Sequence, residues 1–503
     1  MKGYVNVNDR GAVMLELSVF LCGAVVMVIE LTGSRVVAPY LGTSLVVWTC
    51  LIGIILAALS LGYWWGGRLA DRRPEARLLG RIILLAALAT GAIALTSAFV
   101  LGFLQSQGMG LYAAAVGATL ILFAPPAVLL GMVAPFAVRL KLADTASGGR
   151  TAGTLYAIST MGSIAGTFLA GFVLIAWLGS TNILLLMAAV LAVAALCAAR
   201  SGAVAKGAAC ALFLALLLGS VGHDARLAQE GVVDRDTPYN RVMVFKGSEE
   251  GTGRLMRVMT TGPHAKQSAM YLDSPADLAL SYTRYFRLAE QFAPGMRRML
   301  VLGGGGFSFP KFALAAYPEL TLDVVELDPG IVALARDYFE LKDHPRLRIF
   351  AEDARTFLNR NHETYHVILG DTFNSHYAIP FHLATREAAE RMKAALAPGG
   401  VALVNLISAL TGERGRFFCA LRATFASVFP TVLVFAVDDP LDRSRAQNIV
   451  LAAFASEGEP PLSAGDPELN AMLARRVQPP VDAGCKPLTD DYAPVDRYMM
   501  SAW

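Results

Sequence analysis

The chain has 503 residues, of which 55% are hydrophobic and 17% charged, with a formal net charge of +3 and a mean hydropathy of +0.50. Such apolarity excludes an ordinary soluble protein and points to membrane spans; so small a net charge gives no electrostatic case for nucleic acid. The six cysteines show no C-x-x-C or paired spacing, so neither a disulfide framework nor a zinc site follows.

A membrane crossing needs about 20 apolar residues. Candidate spans fall at 12–38, 45–67, 82–103, 111–138, 152–177, 180–199 and 205–222, which makes 1–222 a helical bundle of six or seven spans. The first stretch is too long for a cleavable signal and carries Glu30 and Arg35, so it reads as a retained span. Those two charges are functional candidates by default, with an ion pair to another helix as the plainer reading. Gly62-x-x-x-Gly66 and Gly162-x-x-x-Gly166 suit close helix packing. Pro125 and Pro126 predict a kink in the fourth span.

"GRLADRRPEARLLGR" (67–81) holds five arginines, and 139–150 and 200–206 are also basic. The alternate loops near 40–44, 104–110 and 178–181 carry no Lys or Arg. The positive-inside rule then places the basic loops and the N-terminus in the cytoplasm. Seven spans would put the rest of the chain outside. Use of a cytosolic cofactor favours a cytoplasmic second half, with 205–222, the weakest candidate, not crossing.

From 232 to 503 the composition is that of a soluble domain. "YNRVMVFKG" and "GRLMRVMTTG" alternate apolar and polar residues and predict a β-hairpin region over 232–270. "SPADLALSYTRYFRLAEQF" (274–292) predicts a helix starting at Ser274-Pro275. Strands and helices then alternate through an α/β core over 274–460: "RRMLVLG", "FPKFALAAYP", "TLDVVELD", "PGIVALARDYFE", "LRIFAED", "ARTFLNR", "YHVILGD", "TREAAERMKAALAPGG" and "VALVNLI". This order predicts a doubly wound, Rossmann-like parallel sheet, with ligands at the carboxyl ends of its strands. Residues 461–503 form a tail.

Four glycines, Gly303 to Gly306, follow the first of these strands, and Glu326, Asp353 and Asp371 close the next three. Glycines let backbone approach a ligand closely. An acid about 20 residues after such a loop meets ribose hydroxyls. The G-x-G-x-x-G spacing fits poorly and no P-loop is present. A ligand with ribose and adenine but no pyrophosphate fits better, which suggests adenosylmethionine or its decarboxylated derivative.

On "VLGGGGF", "DVVELDPGIVALARDYF", "AEDARTFL", "GDTFNSHYAIPFHLATRE" and "LTDDYAPVDRY", residues 232–410 and the tail resemble the spermidine synthase family, the polyamine aminopropyltransferases. With "ELTGSRVVAPYLG", "GRLADRRP", "GMVAPFAVRL" and "YAISTMGSIAGTFLAGFVL", the whole chain resembles the bacterial fused major-facilitator/spermidine synthases. The resemblance implies a methyltransferase-type fold in a multi-pass inner-membrane protein. It implies a transferase moving an aminopropyl group from decarboxylated S-adenosylmethionine to an amine, with no metal. A small-molecule amine, the lipid bilayer and a second copy of the chain are its implied partners. Gly303, Gly304 and Gly305 would form the nucleoside loop. Glu326 would bind the ribose, Asp353 the adenine amino group, and Gln267 the donor less securely. Asp371 would be the base, and Asn374 would stand at the acceptor; Tyr282 is a separate candidate for facing the substrate, with core packing as the plainer reading.

Two departures bear on substrate. The acid expected after three glycines is Gly306, and a D-x-x-D motif becomes Asp371-Thr372-Phe373-Asn374. An amide in place of a carboxylate loses a charge-assisted ammonium contact worth about 1.5–3 kcal/mol. A donor that keeps its carboxylate, S-adenosylmethionine itself, is less repelled by Gly306, so methyl transfer or internal cleavage stays open. A transporter or sensor regulated by a nucleoside-binding domain is the reading from another class.

Several motifs read as structural. "HETYH" (362–366) straddles a helix end and a strand start, where two histidines cannot share a helical face as a zinc protease requires. His376 and His382 read as solvated loop residues, Tyr282 and Tyr285 as core at helical spacing, and the acids of the tail as structural.

Overall fold

A computed structural model of the chain describes residues 9–142, 148–199, 229–262, 266–373, 379–458, 460–478 and 484–500, with single positions between 207 and 227. Two compact units emerge. The first is Met1–Glu230 with Asp234–Arg241; the second is Gly231–Val233 with Val242–Trp503.

The first unit is helical: α1 (Asp9–Leu41), α2 (Leu45–Arg72), α3 (Ala76–Ser106), α4 (Leu111–Leu122), α5 (Ala124–Gly131), α6 (Val133–Lys141), α7 (Gly148–Leu169) and α8 (Ser180–Ala199). A π-helical turn, Ala170–Leu174, extends α7 toward Trp177. Among the described residues, six helices are long and apolar enough to cross a membrane. The expected kink is a break: α4, α5 and α6 replace one helix, with Pro125 in the first turn of α5, where its missing N–H costs no helical bond. The 205–222 candidate lies outside the described residues but for single positions.

Glycines set the helix contacts of this unit. A Cβ at Gly62 would lie 2.2 Å from the Val128 carbonyl oxygen, and one at Gly131 2.5 Å from that of Leu59, so α2 and α5 touch backbone to backbone. Gly162 and Gly166 do the same for α7 against Phe20 and Ala24 of α1. In lipid, where no hydrophobic force draws helices together, such close approach supplies the dispersion contact. Arg35 differs from expectation. Its guanidinium donates to the backbone carbonyls of Thr237 and Pro238, beyond the bundle's helices.

A four-stranded sheet, in the order β1-β2-β3-β4, joins β1 (Val233–Asp236), β2 (Arg241–Ser248), β3 (Leu255–Thr260) and β4 (Lys266–Tyr271). The helix expected from Ser274 begins only at Ser281. Ser274–Asp277 is a turn, and Leu278 bridges back to Met270 of β4. The helical run is then broken into Ser281–Arg284, the 3-10 turn Tyr285–Arg287 and Leu288–Phe292.

The second unit is built on an eight-stranded sheet. Its strands are β5 (Arg298–Leu302), β6 (Thr321–Glu326), β7 (Leu347–Ala351), β8 (Tyr365–Phe373), β9 (Leu396–Ser408), β10 (Thr431–Ala436), β11 (Gln447–Phe454) and β12 (Arg476–Val477). The order is β12-β10-β11-β9-β8-β5-β6-β7. Strands β5 to β9 pair in parallel, as the β/α alternation predicts; β10, β11 and β12 add an antiparallel edge. The order reverses between β5 and β8, and such a switch point opens a crevice at the strand ends.

Alternation along each strand serves two cores. Met299 and Val301 pack on one face of β5 with α9 (Ser308–Ala316) and α10 (Pro329–Tyr338), while Leu300 and Leu302 pack on the other with α11 (Ala354–Arg360), α12 (Arg386–Ala394) and α13 (Arg416–Ala426). Strand β9 starts at Leu396, inside the stretch expected to be helix, because α12 ends at Ala394.

The cysteines correct the sequence expectation. Cys419 of α13 and Cys485 of the tail form a disulfide, with Cα atoms 5.9 Å apart across 66 residues of sequence. The tail folds back over α13: the Leu488 N–H donates to Thr424 Oγ1, and the Arg386 N–H to the Leu488 carbonyl. Sequence spacing carries no trace of such a closure.

Candidate active site

Strand β5 ends at Leu302 and the chain turns sharply through Gly303–Gly306. Gly303 has φ +96, and a Cβ there would lie 2.6 Å from the Asp371 carbonyl oxygen. Only glycine meets both conditions. Phe307, fully buried, sits at φ 54; a left-handed bulky residue is a genuine outlier, held here by its surroundings.

Glu326, at the end of β6, is buried. Its Oε2 accepts the Gly304 and Gly305 N–H groups at 2.9 and 3.0 Å, and its Oε1 accepts the Asp328 N–H at 3.0 Å. Burial pushes its carboxyl above the usual range, and these three backbone donors counter the rise. The carboxylate thus holds the glycine loop in shape, while Oε1, with one protein donor, keeps acceptor capacity.

Asp371 lies where β8 departs from its regular ladder with β9. Gly370 faces Val404 and Phe373 faces Leu406, so one extra residue is fitted opposite Asn405. Such a bulge re-aims a side chain. Asp371 Oδ2 accepts from Tyr282 Oη at 3.0 Å, and Oδ1 from Asn405 Nδ2 at 3.2 Å. Desolvation is the largest influence and pushes its carboxyl up to about 6. The two hydrogen bonds oppose that rise and the Glu326 charge adds to it. A carboxylate so tuned is a base poised near neutrality.

Gly303, Gly304, Tyr282 and Asp371 line one pocket, together with Ser268, Phe286, Ser308 and Phe309. Tyr282, read from its spacing as core, thus has its hydroxyl at the site, while Tyr285 packs in the core with its Oη to the Ala436 carbonyl. Gly305 sits beside Ser268, and the Gly306 N–H donates to Ser268 Oγ at 2.8 Å. A Cβ at Gly306 would lie 2.9 Å from both Phe339 Cδ1 and Ser268 Cβ, so the place of the expected acid is filled by its neighbours.

Asp353, two residues past β7, caps α11: its Oδ1 accepts the Thr356 N–H at 2.9 Å. Its Oδ2 pairs with His382 Nε2 at 3.0 Å, a partner the sequence reading left in solvent. Burial raises this carboxyl, but the Thr356 N–H and His382 outweigh it and hold it below the usual range. Gln267 is the extra residue in the irregular pairing of β3 with β4, and its buried Oε1 has no hydrogen-bond partner among the described residues. That orphaned acceptor suits a donor group on a ligand. Asn374 and His376 lie outside the described residues.

The sequence reading missed Asn405 and Ser268. Asn405 is a fully buried amide in the otherwise apolar run "VALVNLI". A polar residue in a strand covered on both faces needs a partner, and that was the available signal. Ser268 carried none. Tail residue Asp490 is bound to Arg355 through both oxygens and to Thr385, so it serves structure as expected. Strand β8 takes up Tyr365 and His366 of the "HETYH" motif, and no metal-binding group of three or more side chains occurs among the described residues.

The family model of the spermine/spermidine synthase domain matches residues 286–438. A polyamine aminopropyltransferase of Vibrio vulnificus is 34% identical over 196 residues, covering 38% of this chain and 62% of that one. A probable polyamine aminopropyl transferase of Bifidobacterium longum is 28% identical over 236 residues, covering 42% of this chain and 51% of its own. The chain therefore spans less than two thirds of the length of these relatives. A solved structure of a probable spermidine synthase from Corynebacterium glutamicum aligns at 24% identity and a TM-score of 0.42, covering 51% of this chain and 96% of that one. The glycine loop, Glu326, Asp353, Asp371 and Asn405 all fall inside the segment that matches the spermine/spermidine synthase domain.

Proposed function

We propose that the protein is a membrane-bound, spermidine synthase-like transferase that uses a sulfonium nucleoside as donor, with Asp371 as base. The observation that carries this reading is the Asp371 carboxylate, held by Tyr282 and Asn405 beside the Gly303–Gly305 loop and facing the same pocket. Similarity of this segment to polyamine aminopropyltransferases supports it.

The acceptor amine attacks the aminopropyl carbon bonded to the sulfonium. The C–N bond forms, the C–S bond breaks, and its electron pair returns to sulfur, leaving neutral methylthioadenosine. The proton lost from nitrogen goes to Asp371. Positive sulfur is already a good leaving group, so the protein has to position the partners and take one proton. Glu326 and Asp353 serve the ribose and adenine, and Gln267 offers its free acceptor.

The filled space around Gly306 favours a second reading for the donor. Residue 306 is a glycine crowded by Phe339 and Ser268 and offers no acid to a cationic aminopropyl end, so S-adenosylmethionine with its carboxylate is the alternative. Methyl transfer or internal cleavage would then be the reaction.

Mass spectrometry of the purified full chain with each donor, with and without amines, tests both. Methylthioadenosine made by the wild type and absent with Asp371→Asn supports attack on the three- or four-carbon arm. S-adenosylhomocysteine would make the protein a methyltransferase. Binding of both donors with no turnover would leave the sensor or transporter reading.

A further inference from the structure

We infer that the chain from Val242 onward lies on the extracytoplasmic side of the membrane. This reverses the cytoplasmic placement drawn from a cytosolic cofactor.

The bundle has two chemically distinct ends. Arg68, Arg72, Arg73, Arg77 and Arg81 surround the α2–α3 turn, and Arg139 and Lys141, at the end of α6, pair with Asp71 and Glu16 at the same end. The turns at the other end, 42–44, 107–110 and 178–179, have no Lys or Arg. Basic loops stay in the cytoplasm.

Residues 234–241 are held at the end free of basic loop residues. Arg35, near the exit of α1, grips the Thr237 and Pro238 carbonyls. The Ser180 N–H, at the start of α8, donates to Asp236 Oδ2 at 2.5 Å. At the same end the Tyr40 carbonyl accepts from Gln105 Nε2 at 3.4 Å, beside the next turn. All these contacts lie within the first unit.

Chain direction completes the argument. Helix α8 starts at that end with Ser180 and runs 20 residues to Ala199, about 30 Å at 1.5 Å per residue. The chain is therefore at the basic end at Ala199 and back at the other end by Asp234. Residues 205–222, "AKGAACALFLALLLGSVG", hold one charge, Lys206, near their start. A stretch of about 17–25 predominantly apolar residues suffices to cross. The chain therefore returns across the membrane between Ala199 and Asp234, and Val242 follows directly from Arg241.

The Cys419–Cys485 disulfide supports this independently. Disulfides persist in oxidising compartments and are rare where thioredoxin and glutathione keep thiols reduced.

If the proposed function also holds, the reaction preceding this one is a transport step. A sulfonium nucleoside carries a fixed charge and does not cross hydrocarbon unaided.

The test is cysteine accessibility in cells expressing the full chain, against the unsubstituted protein. Leu441→Cys, at a side chain 89% exposed, and Glu250→Cys, at a separate exposed site, report on the second unit. Met109→Cys and Glu75→Cys mark the two ends of the bundle. A membrane-impermeant maleimide is expected to label Leu441→Cys, Glu250→Cys and Met109→Cys in intact cells, and Glu75→Cys only after permeabilisation. Labelling of the two reporters only after permeabilisation overturns the inference. Thiol trapping in acid-quenched cells is expected to modify Cys419 and Cys485 only after reduction; free thiols at both would remove the disulfide argument. Neither readout needs turnover, so failure here is distinct from failure of the sulfonium reading.

Discussion

Tyr282 donates its phenolic hydrogen to Asp371 Oδ2 across 3.0 Å, joining positions 89 residues apart. A hydrogen bond to the charged form lowers a carboxyl pKa. We expect activity to rise with pH through about 6, the range in which Asp371 loses its proton. In Tyr282→Phe the carboxyl titrates higher, so the acid limb moves to higher pH while the high-pH plateau survives in part. A pH–rate profile of kcat/KM checks this. An unshifted limb in Tyr282→Phe would show that another group titrates.

Stability carries the opposite sign. Asp371 has a folded value of about 6 against the ordinary 3.8. Its contribution is therefore fully present below 3.8 and is lost as pH rises through about 6. Asp371→Asn removes that loss, by on the order of 2–3 kcal/mol at most. Thermal unfolding in detergent should find the variant gaining stability relative to wild type between pH 4 and pH 8. An equal offset at both pH values would contradict the assignment.

The glycine loop makes two predictions of different kind. Gly303→Ala meets both a φ of +96 and the Asp371 carbonyl, so it should unfold the loop and abolish nucleoside binding. Gly306→Asp would place an acid after three glycines, yet Phe339 and Ser268 crowd its place. We expect it to lower nucleoside affinity and to confer no preference for the decarboxylated donor, measured by calorimetry with each. A gain in that preference would mean that Phe339 yields.

Glu326→Gln keeps the shape of the side chain but turns one oxygen into a donor. The present carboxylate accepts three backbone N–H groups, and an amide has acceptor capacity on one atom alone. At least one of these three backbone N–H groups is then orphaned, at about 1–3 kcal/mol. Nucleoside affinity should fall about tenfold or more, with the fold retained by circular dichroism.

Reduction of the disulfide should be felt through the tail. Closing a loop of this length stabilises by about 4 kcal/mol in the chain-entropy model. Cys419→Ser and Cys485→Ser should lower the melting temperature equally, and the double variant no further, since either change opens the same link. Unequal losses would point to a separate role for one sulfur.

Much of this protein is legible from local pattern. The long apolar helices and the β/α alternation follow from the sequence because period and composition act within a few residues. The expected helix from Ser274 failed because Leu278 bridges back to Met270, a tertiary pairing that overrides helical spacing. Asp353 was read for its place at a strand end, and nothing local said that His382, 29 residues on, would pair with it.

Residue chemistry along the chain determines the apolar helices and a glycine loop followed in order by three acids. Folding settled which groups meet. Asn405 reaches Asp371 from 34 residues away through a bulge in β8, and Cys485 reaches Cys419 across 66. Arg35 reaches Pro238 across 203 residues and ties residues 234–241 to the end of the bundle that lacks basic loops. Strand register and chain reversal create these contacts, and a one-residue slip would send each side chain elsewhere. Local periodicity carries no information about either.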